Sequence, residues 1–405
     1  MFEVKKIRSQ FPFFSTPRGE EMVYFDNTAT TQTPGGVIKA IRDGYEGFKA
    51  NVHRGVHSLS QEATSRMEDT RKRIKEYINA ASTEEIIFTS GATESINLVA
   101  SSLGSMIPDG SEIILTVMEH HANIVPWQLL QARKNIIIRV VDINERGELD
   151  LDQYRRLFSD KTALAAFCHV SNVLGTVNPV EEMVGIAREK GVCTLIDGAQ
   201  GPGHVPVDVE KIGCDFYVFS AHKMYGPTGV GVLYGRKELL EKMPPYQGGG
   251  EMIRRVSFDG TTFADLPFKF EAGTPDFIGI AGYQAAIDFL ESEAFRGAED
   301  HELSLLHKAE EGLKELIPSV RIFGEARHKS AILSFMLGDV HPYDVGMLLD
   351  GFGIAVRTGH HCAQPLMDRL GIPGTVRTGF ACYNTEEEID RFLKAMERVA
   401  KILKV

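Results

Sequence analysis

Cysteine is scarce in this chain of 405 residues, and its five copies (Cys168, Cys193, Cys214, Cys362 and Cys382) are odd in number with no two close together. A disulfide framework needs paired, regularly spaced cysteines, so none is expected. Positive charge is also in deficit. With 44 Lys and Arg against 55 Asp and Glu the formal net charge is −11. No basic cluster or interleaving of aromatic and basic residues offsets it, which excludes a nucleic-acid surface. Long apolar runs are missing as well: no stretch of about 18 apolar residues occurs. The first residues, Met1 to Lys6, lack the apolar core of a signal peptide. The expectation is a cytoplasmic protein with no membrane partner. What remains is ample, since a hydrophobic content of 43% over this length suffices for two cores.

Short apolar runs alternate with helical patterns between about residues 80 and 235. The predicted strands are Glu85–Thr89, Glu112–Val117, Ile136–Val141, Ala163–Val170, Thr194–Ile196, Phe216–Phe219 and Gly231–Tyr234, with helices such as Pro126–Arg133 and Glu181–Lys190 between them. This predicts an α/β unit built on a doubly wound, mainly parallel seven-stranded sheet. Gln247 to Gly250 and the stretch through Gly260 read as loops. Beyond about residue 265 the order becomes helices Ile278–Glu293 and Glu299–Leu316, strands Val320–Phe323 and Ala331–Met336, helix Tyr343–Asp350, strands near Ile354–Arg357 and Val376–Phe380, and a closing helix Glu386–Leu403. That is a smaller α+β domain. Cys168, Cys193 and Cys214 fall in apolar runs as small buried hydrophobes, whereas Cys362 lies among Gly, His and Gln in a loop.

Three places carry chemistry. Lys223 follows the apolar run Phe216–Phe219, and an amine at the mouth of a buried strand is drawn toward its neutral form, the form that condenses with an aldehyde. The alternative is a surface lysine capping a strand. Asp197, delivered by the run Val192–Ile196, suits a protonated pyridine nitrogen. It can instead cap its turn, but no His or Cys ligand pattern accompanies it, so no metal is expected. Gln200 is three residues on and can donate to a phenolate oxygen. Glu85–Leu98 reads as strand, glycine turn and helix, an anion site in which the N–H groups at Ala92 and Thr93 and the Thr93 hydroxyl can cradle a phosphate. Ser and Thr also cap many ordinary helices.

With these segments and with Asn51–Gly55, Met118–Asn123, Ser171–Thr176 and Arg357–Ala363, the chain resembles the pyridoxal-phosphate enzymes of aminotransferase class V. Within that class it is similar to the Suf-type (group II) cysteine desulfurases, from about Phe11 to Ala400. The resemblance implies a fold-type I architecture with a large domain at 20–262 and a small one from 1–19 and 263–405. It also implies a homodimer, pyridoxal 5'-phosphate as cofactor, and conversion of L-cysteine to L-alanine with the sulfur left as a persulfide for iron-sulfur cluster assembly. His120 is then the imidazole stacked on the cofactor ring, Asn172 reaches the cofactor or substrate carboxylate, and Ser220 and His222 join Thr93 at the phosphate. Thr274 contacts the partner chain's phosphate. Arg377 binds the substrate carboxylate through the two parallel hydrogen bonds that favour Arg over Lys. Arg357 supports it, and His53 lines the same mouth.

Cys362 is the expected sulfur acceptor, its thiolate fraction raised by Arg357, His360 and His361. Its loop, His361 to Asp368, is short, so a small acceptor or scaffold protein of the Suf system must come to it. Ser90-Gly91-Ala92 stands where many group II members carry Arg-Gly-Thr, which removes a charge and a hydroxyl near the phosphate end. A selenocysteine lyase or a class V transaminase would share Lys223 and Asp197, although a transaminase needs no loop thiol. A non-catalytic scaffold would show erosion of Lys223, Asp197 or Cys362, and all three are present.

Overall fold

The computed structural model describes residues 2–405. Its central sheet has seven strands, β1 (Ile86–Thr89), β2 (Glu112–Thr116), β3 (Ile137–Val141), β4 (Thr162–Cys168), β5 (Cys193–Asp197), β6 (Phe216–Ser220) and β7 (Gly231–Gly235). Their spatial order is β1-β7-β6-β5-β4-β2-β3, and β7 alone runs antiparallel, to both β1 and β6. Side chains alternate between two apolar layers. Ala165, Phe167, Ile196, Tyr217 and Phe219 face one, and Leu164, Ala166, Leu195, Phe216 and Val218 face the other. A sheet buried on both faces requires such continuous apolar runs and a helical cover on each side. Helix Ala92–Met106 covers the second layer through Ile96, Val99 and Leu103. Helix Val180–Glu189 covers the first through Met183, Val184 and Ala187.

A second, antiparallel sheet contains β8 (Val320–Phe323), β9 (Ile332–Leu337), β10 (Arg357–Gly359) and β11 (Thr375–Gly379) in the order β8-β9-β11-β10. Helices Ala298–Leu316 and Glu386–Leu403 supply Leu305, Leu313, Phe392 and Met396 to its core, which Val23 and Phe25 complete. No helix among the described residues is long and apolar enough to cross a membrane.

The packing departs from the expected division at two places. Helix Phe277–Leu290 lies against helices Gly35–Gly47 and Ser58–Tyr77 and sends Ile280, Tyr283 and Ile287 into the core of the large sheet. Ile7, Phe11 and Phe14 join the same cluster, where Phe11 meets Tyr225 and Phe289 on one side and Tyr383 on the other, so the N-terminal segment touches both units; strand Val23–Tyr24 pairs with Ile354–Ala355 of the small one. Apolar contact decides this, and chain order does not report it. A hairpin, Ile253–Ser257 with Gly260–Phe263, replaces the expected loop; all its strand residues but Ile253 are exposed, so no half-buried alternation marks it.

Arg71 is fully buried and fastens segment 271–275 to β1: its guanidinium donates to Glu271 Oε1 and Oε2 (2.7 and 2.9 Å), to Glu68 and to the Ile86 carbonyl (2.7 Å). Removing one partner strands the other charge in the interior. Arg71→Ala is therefore expected to destabilise the chain by about 3–5 kcal/mol, read from the denaturation midpoint at constant m.

Candidate active site

The C-terminal ends of β4, β5 and β6 and the start of the helix after β1 converge on a cavity of about 220 Å³, the place where open α/β sheets take ligands. Ala92, Thr93, His120, Asn172, Asp197, Gln200, Ser220, His222 and Lys223 line it, with Ala122, Cys168, Val170 and Ala199 as the apolar wall. A larger hollow of about 820 Å³, bounded by Glu148, Leu306 and Lys329 among others, contains none of these residues.

At one end the turn Gly91–Ala92 opens helix Ala92–Met106. A Cβ on Gly231 of the neighbouring strand would lie 2.3 Å from the Gly91 Cα, so the strand can pass here only as glycine. The Ala92 N–H donates to Ser220 Oγ (2.8 Å), which leaves the Ser220 hydroxyl proton free for an anion. His222, its ring 3.2 Å from Thr30 Oγ1, has its pKa lowered to about 4 by burial and by the charge of Lys223.

At the other end Asp197, 5% exposed, accepts the Ala199 N–H at 3.0 Å. Burial pushes its carboxyl upward, opposed by that hydrogen bond and by Lys223. Burial lowers the Lys223 ammonium below its ordinary value, with Asp197 pulling the other way. His120 is lowered to about 3 by burial, then by Lys223, His121 and Arg377, so its imidazole is uncharged at neutral pH. Its Nδ1 accepts the Ala122 N–H (3.0 Å), which assigns the ring proton to Nε2. Beneath it Glu119, fully buried and raised to about 7 mainly by burial, accepts from Thr116 Oγ1, Asn123 Nδ2 and the Cys168 N–H at 2.5–3.0 Å. Glu119 thus ties the His120 turn to β2 and β4. Its presence in Met118–Asn123 was the only signal of it in the sequence.

Beyond the cavity stands Arg377, 3% exposed, which donates to the Asn172 carbonyl (2.8 Å) and has Asp26 Oδ1 at 3.9 Å. Burial lowers it to about 10, so it remains a cation with donors to spare. Arg357 is different. Both arms of its fork lie on Asp26 (Nε at 2.9 Å, NH2 at 2.7 Å), an acid the sequence analysis did not single out, and its side chain is half-exposed. Gln200 has one N–H on the Thr28 carbonyl (2.7 Å), so donation to a ring oxygen falls to its second N–H.

Cys362 is exposed in a turn where it and His361 both have left-handed backbones, φ 55° and 51°. The expected loop is shorter still, because helix Gln364–Leu370 begins two residues later with Pro365 in its first turn. His361 does not flank the thiol: its Nε2 turns inward to Thr375 (3.1 Å to the carbonyl, 2.9 Å to Oγ1) and its carbonyl accepts from Asn172 Nδ2 (2.9 Å). His360 Nδ1 accepts the Cys362 N–H (3.1 Å). Besides Arg377, Arg357 and Cys362, which stand outside the cavity lining, His53 and Thr274 are also not among the residues that line it within one chain. His53, at φ 66°, faces Glu68 and Glu251, and Thr274 is exposed beside Asn51 (3.2 Å).

Residues 23–392 match the family described as Aminotransferase class-V. Proteins named cysteine desulfurase from Serratia proteamaculans (strain 568) and Yersinia pestis (strain Pestoides F) are 47% and 48% identical to the chain, each covering 99% of both sequences. Among solved structures, the apo form of a cysteine desulfurase from Thermococcus onnurineus NA1 superimposes with a TM-score of 0.93 at 40% identity, covering 98% of each chain. A cysteine desulfurase of Escherichia coli does so with a TM-score of 0.92 at 38% identity and 99% coverage of each. With its sheet order, its lysine and aspartate on adjacent strand ends and likeness along nearly its whole length, this chain belongs to the aminotransferase class-V family, among the cysteine desulfurases.

Proposed function

We propose that the chain converts L-cysteine to L-alanine and takes the sulfur onto Cys362 as a persulfide, using pyridoxal 5'-phosphate held between Ala92 and Asp197. The observation that carries this reading is the alignment within one 220 Å³ cavity of an anion cradle, a half-buried amine and a buried carboxyl. That donor set fits the group: the N–H and hydroxyl groups at Thr93 and Ser220 suit its phosphate, and Asp197, with a single protein hydrogen bond, suits its ring nitrogen. When bound, the cofactor supplies an aldehyde for the substrate amine and a protonated ring that draws electrons from Cα.

The chain's own groups do the rest. Asp197 holds the proton on the ring nitrogen. Lys223, favoured as the free amine, takes the Cα proton and returns it. Arg377 grips the α-carboxylate, with Asn172 beside it, and His120 covers the ring with a proton on Nε2. The Cys362 thiolate then attacks the substrate Sγ. An S–S bond forms, the Cβ–S bond breaks with its electron pair going to carbon, and protonation there yields the methyl group of alanine. L-cysteine plus thiol gives L-alanine plus persulfide, so atoms and electrons balance without an external oxidant.

Because helix Gln364–Leu370 starts two residues after Cys362, the sulfur has little reach, and a small acceptor protein of the Suf type must come to the mouth. An exposed thiol stays reduced in a cytoplasm-like compartment. His53 and Thr274, remote from their own chain's cavity, serve the partner's site in a homodimer. Incubation with L-cysteine and a reductant tests the reaction: equal alanine and sulfide support it, and keto-acid formation would instead indicate transamination. Arg377→Leu should raise the KM for L-cysteine about 30-fold or more, corresponding to a loss of about 2–5 kcal/mol of carboxylate binding.

A further inference from the structure

The turn at Cys362 is held from outside. A left-handed backbone is unfavourable for a residue other than glycine, and His361 and Cys362 adopt it in succession. His361 is fixed by Asn172 and Thr375. Around Cys362 itself, the hydrogen bonds from outside the turn come, among the described residues, from His121 on the large unit. Its backbone N–H donates to the Cys362 carbonyl (2.6 Å), and its Nε2 accepts the N–H of Gln364 (3.1 Å). We infer that His121 is a positioning residue that grips the chain leaving Cys362 at two points, the Cys362 carbonyl and the Gln364 N–H, and so aims the nucleophilic sulfur at the mouth of the cavity.

The division of work between the paired histidines follows from their hydrogen bonds. His120 turns its Nδ1 to Ala122 and lines the cavity, whereas His121 turns away from it toward Gln364, its ring 5.5 Å from that of His360. Acceptance at Nε2 needs that nitrogen unprotonated, and burial together with the charge of His360 lowers the His121 pKa in that sense. The clamp spans the two units: His121 follows β2 of the large sheet, and Cys362 follows β10 of the small one.

This inference rests on the reading of Cys362 as the sulfur acceptor. Its test uses the full-length, cofactor-loaded enzyme in three forms: wild type, His121→Phe, which keeps a ring but no acceptor, and His121→Gln, whose side-chain carbonyl reaches the same position. Loss of one such hydrogen bond should speed hydrogen exchange in peptide 360–368 of His121→Phe by about tenfold. Its single-turnover persulfide formation should fall by about tenfold or more while the affinity for L-cysteine is unchanged, and His121→Gln should restore both to within about threefold. Wild-type persulfide formation in His121→Phe overturns the inference, as does an equal loss in both variants. Sulfur release by wild type without a persulfide on Cys362 would instead sink the reading of the site, and the exchange comparison would still decide the hold on the turn.

Discussion

A Cys362→Ser enzyme is expected to bind L-cysteine and exchange its Cα proton with solvent deuterium near the wild-type rate, yet to form alanine at least about a hundredfold more slowly. The two halves separate because different residues carry them. In the proposed reaction Cα activation depends on Lys223 and Asp197, which face the cavity from the turn after β6 and the end of β5, and the thiol enters only when sulfur leaves carbon. A serine hydroxyl at this position is a far poorer nucleophile toward divalent sulfur. No other thiol can substitute: burial pushes Cys168, Cys193, Cys214 and Cys382 upward, away from the reactive thiolate. Loss of Cα exchange along with alanine would contradict this separation.

Lys223→Ala is expected to remove both activities, lowering alanine formation by about a thousandfold or more, because in the proposed reaction the same amine transfers the Cα proton in both directions. Its lowered pKa, set by burial against the opposing pull of Asp197, keeps more of it in the neutral form than an exposed lysine would have. Borohydride treatment followed by peptide mass spectrometry gives a readout independent of turnover: the cofactor should be fixed to the Lys223 peptide in wild type and to no peptide in the variant. Cofactor fixed to another lysine would overturn the assignment.

Much of this was legible in the sequence. Six strands of the large sheet are buried and carry mainly apolar runs, and the exposed edge strand Ile137–Val141 is apolar but for Arg139, so all seven fall within two residues of their predicted ends, and the strand-end residues Asp197 and Lys223 follow from them. Helix Phe277–Leu290 was legible as a helix but not in its packing. It is buried nearly all round, by Ile278, Ile280, Tyr283, Ala286 and Ile287, and such a pattern points to no particular partner. The hairpin at 253–263 was invisible for the opposite reason, its exposed strands carrying no apolar face. Within the site, residue type found Arg357 but not its partner. Asp26 lies 331 positions away, and only the fold brings it onto the guanidinium. Cys362 was legible by its polar neighbours, whereas its left-handed turn was not, since Cys does not signal that conformation and most His residues do not adopt it.

The central claim is that sulfur passes from the substrate to Cys362. A brief pulse of L-cysteine on wild-type enzyme without reductant, followed by alkylation and peptide mass spectrometry, tests it most directly. The account predicts one extra sulfur on the Cys362 peptide, in step with the alanine formed. Extra sulfur found chiefly on Cys382 or Cys214, or alanine formed with none on Cys362, would contradict it.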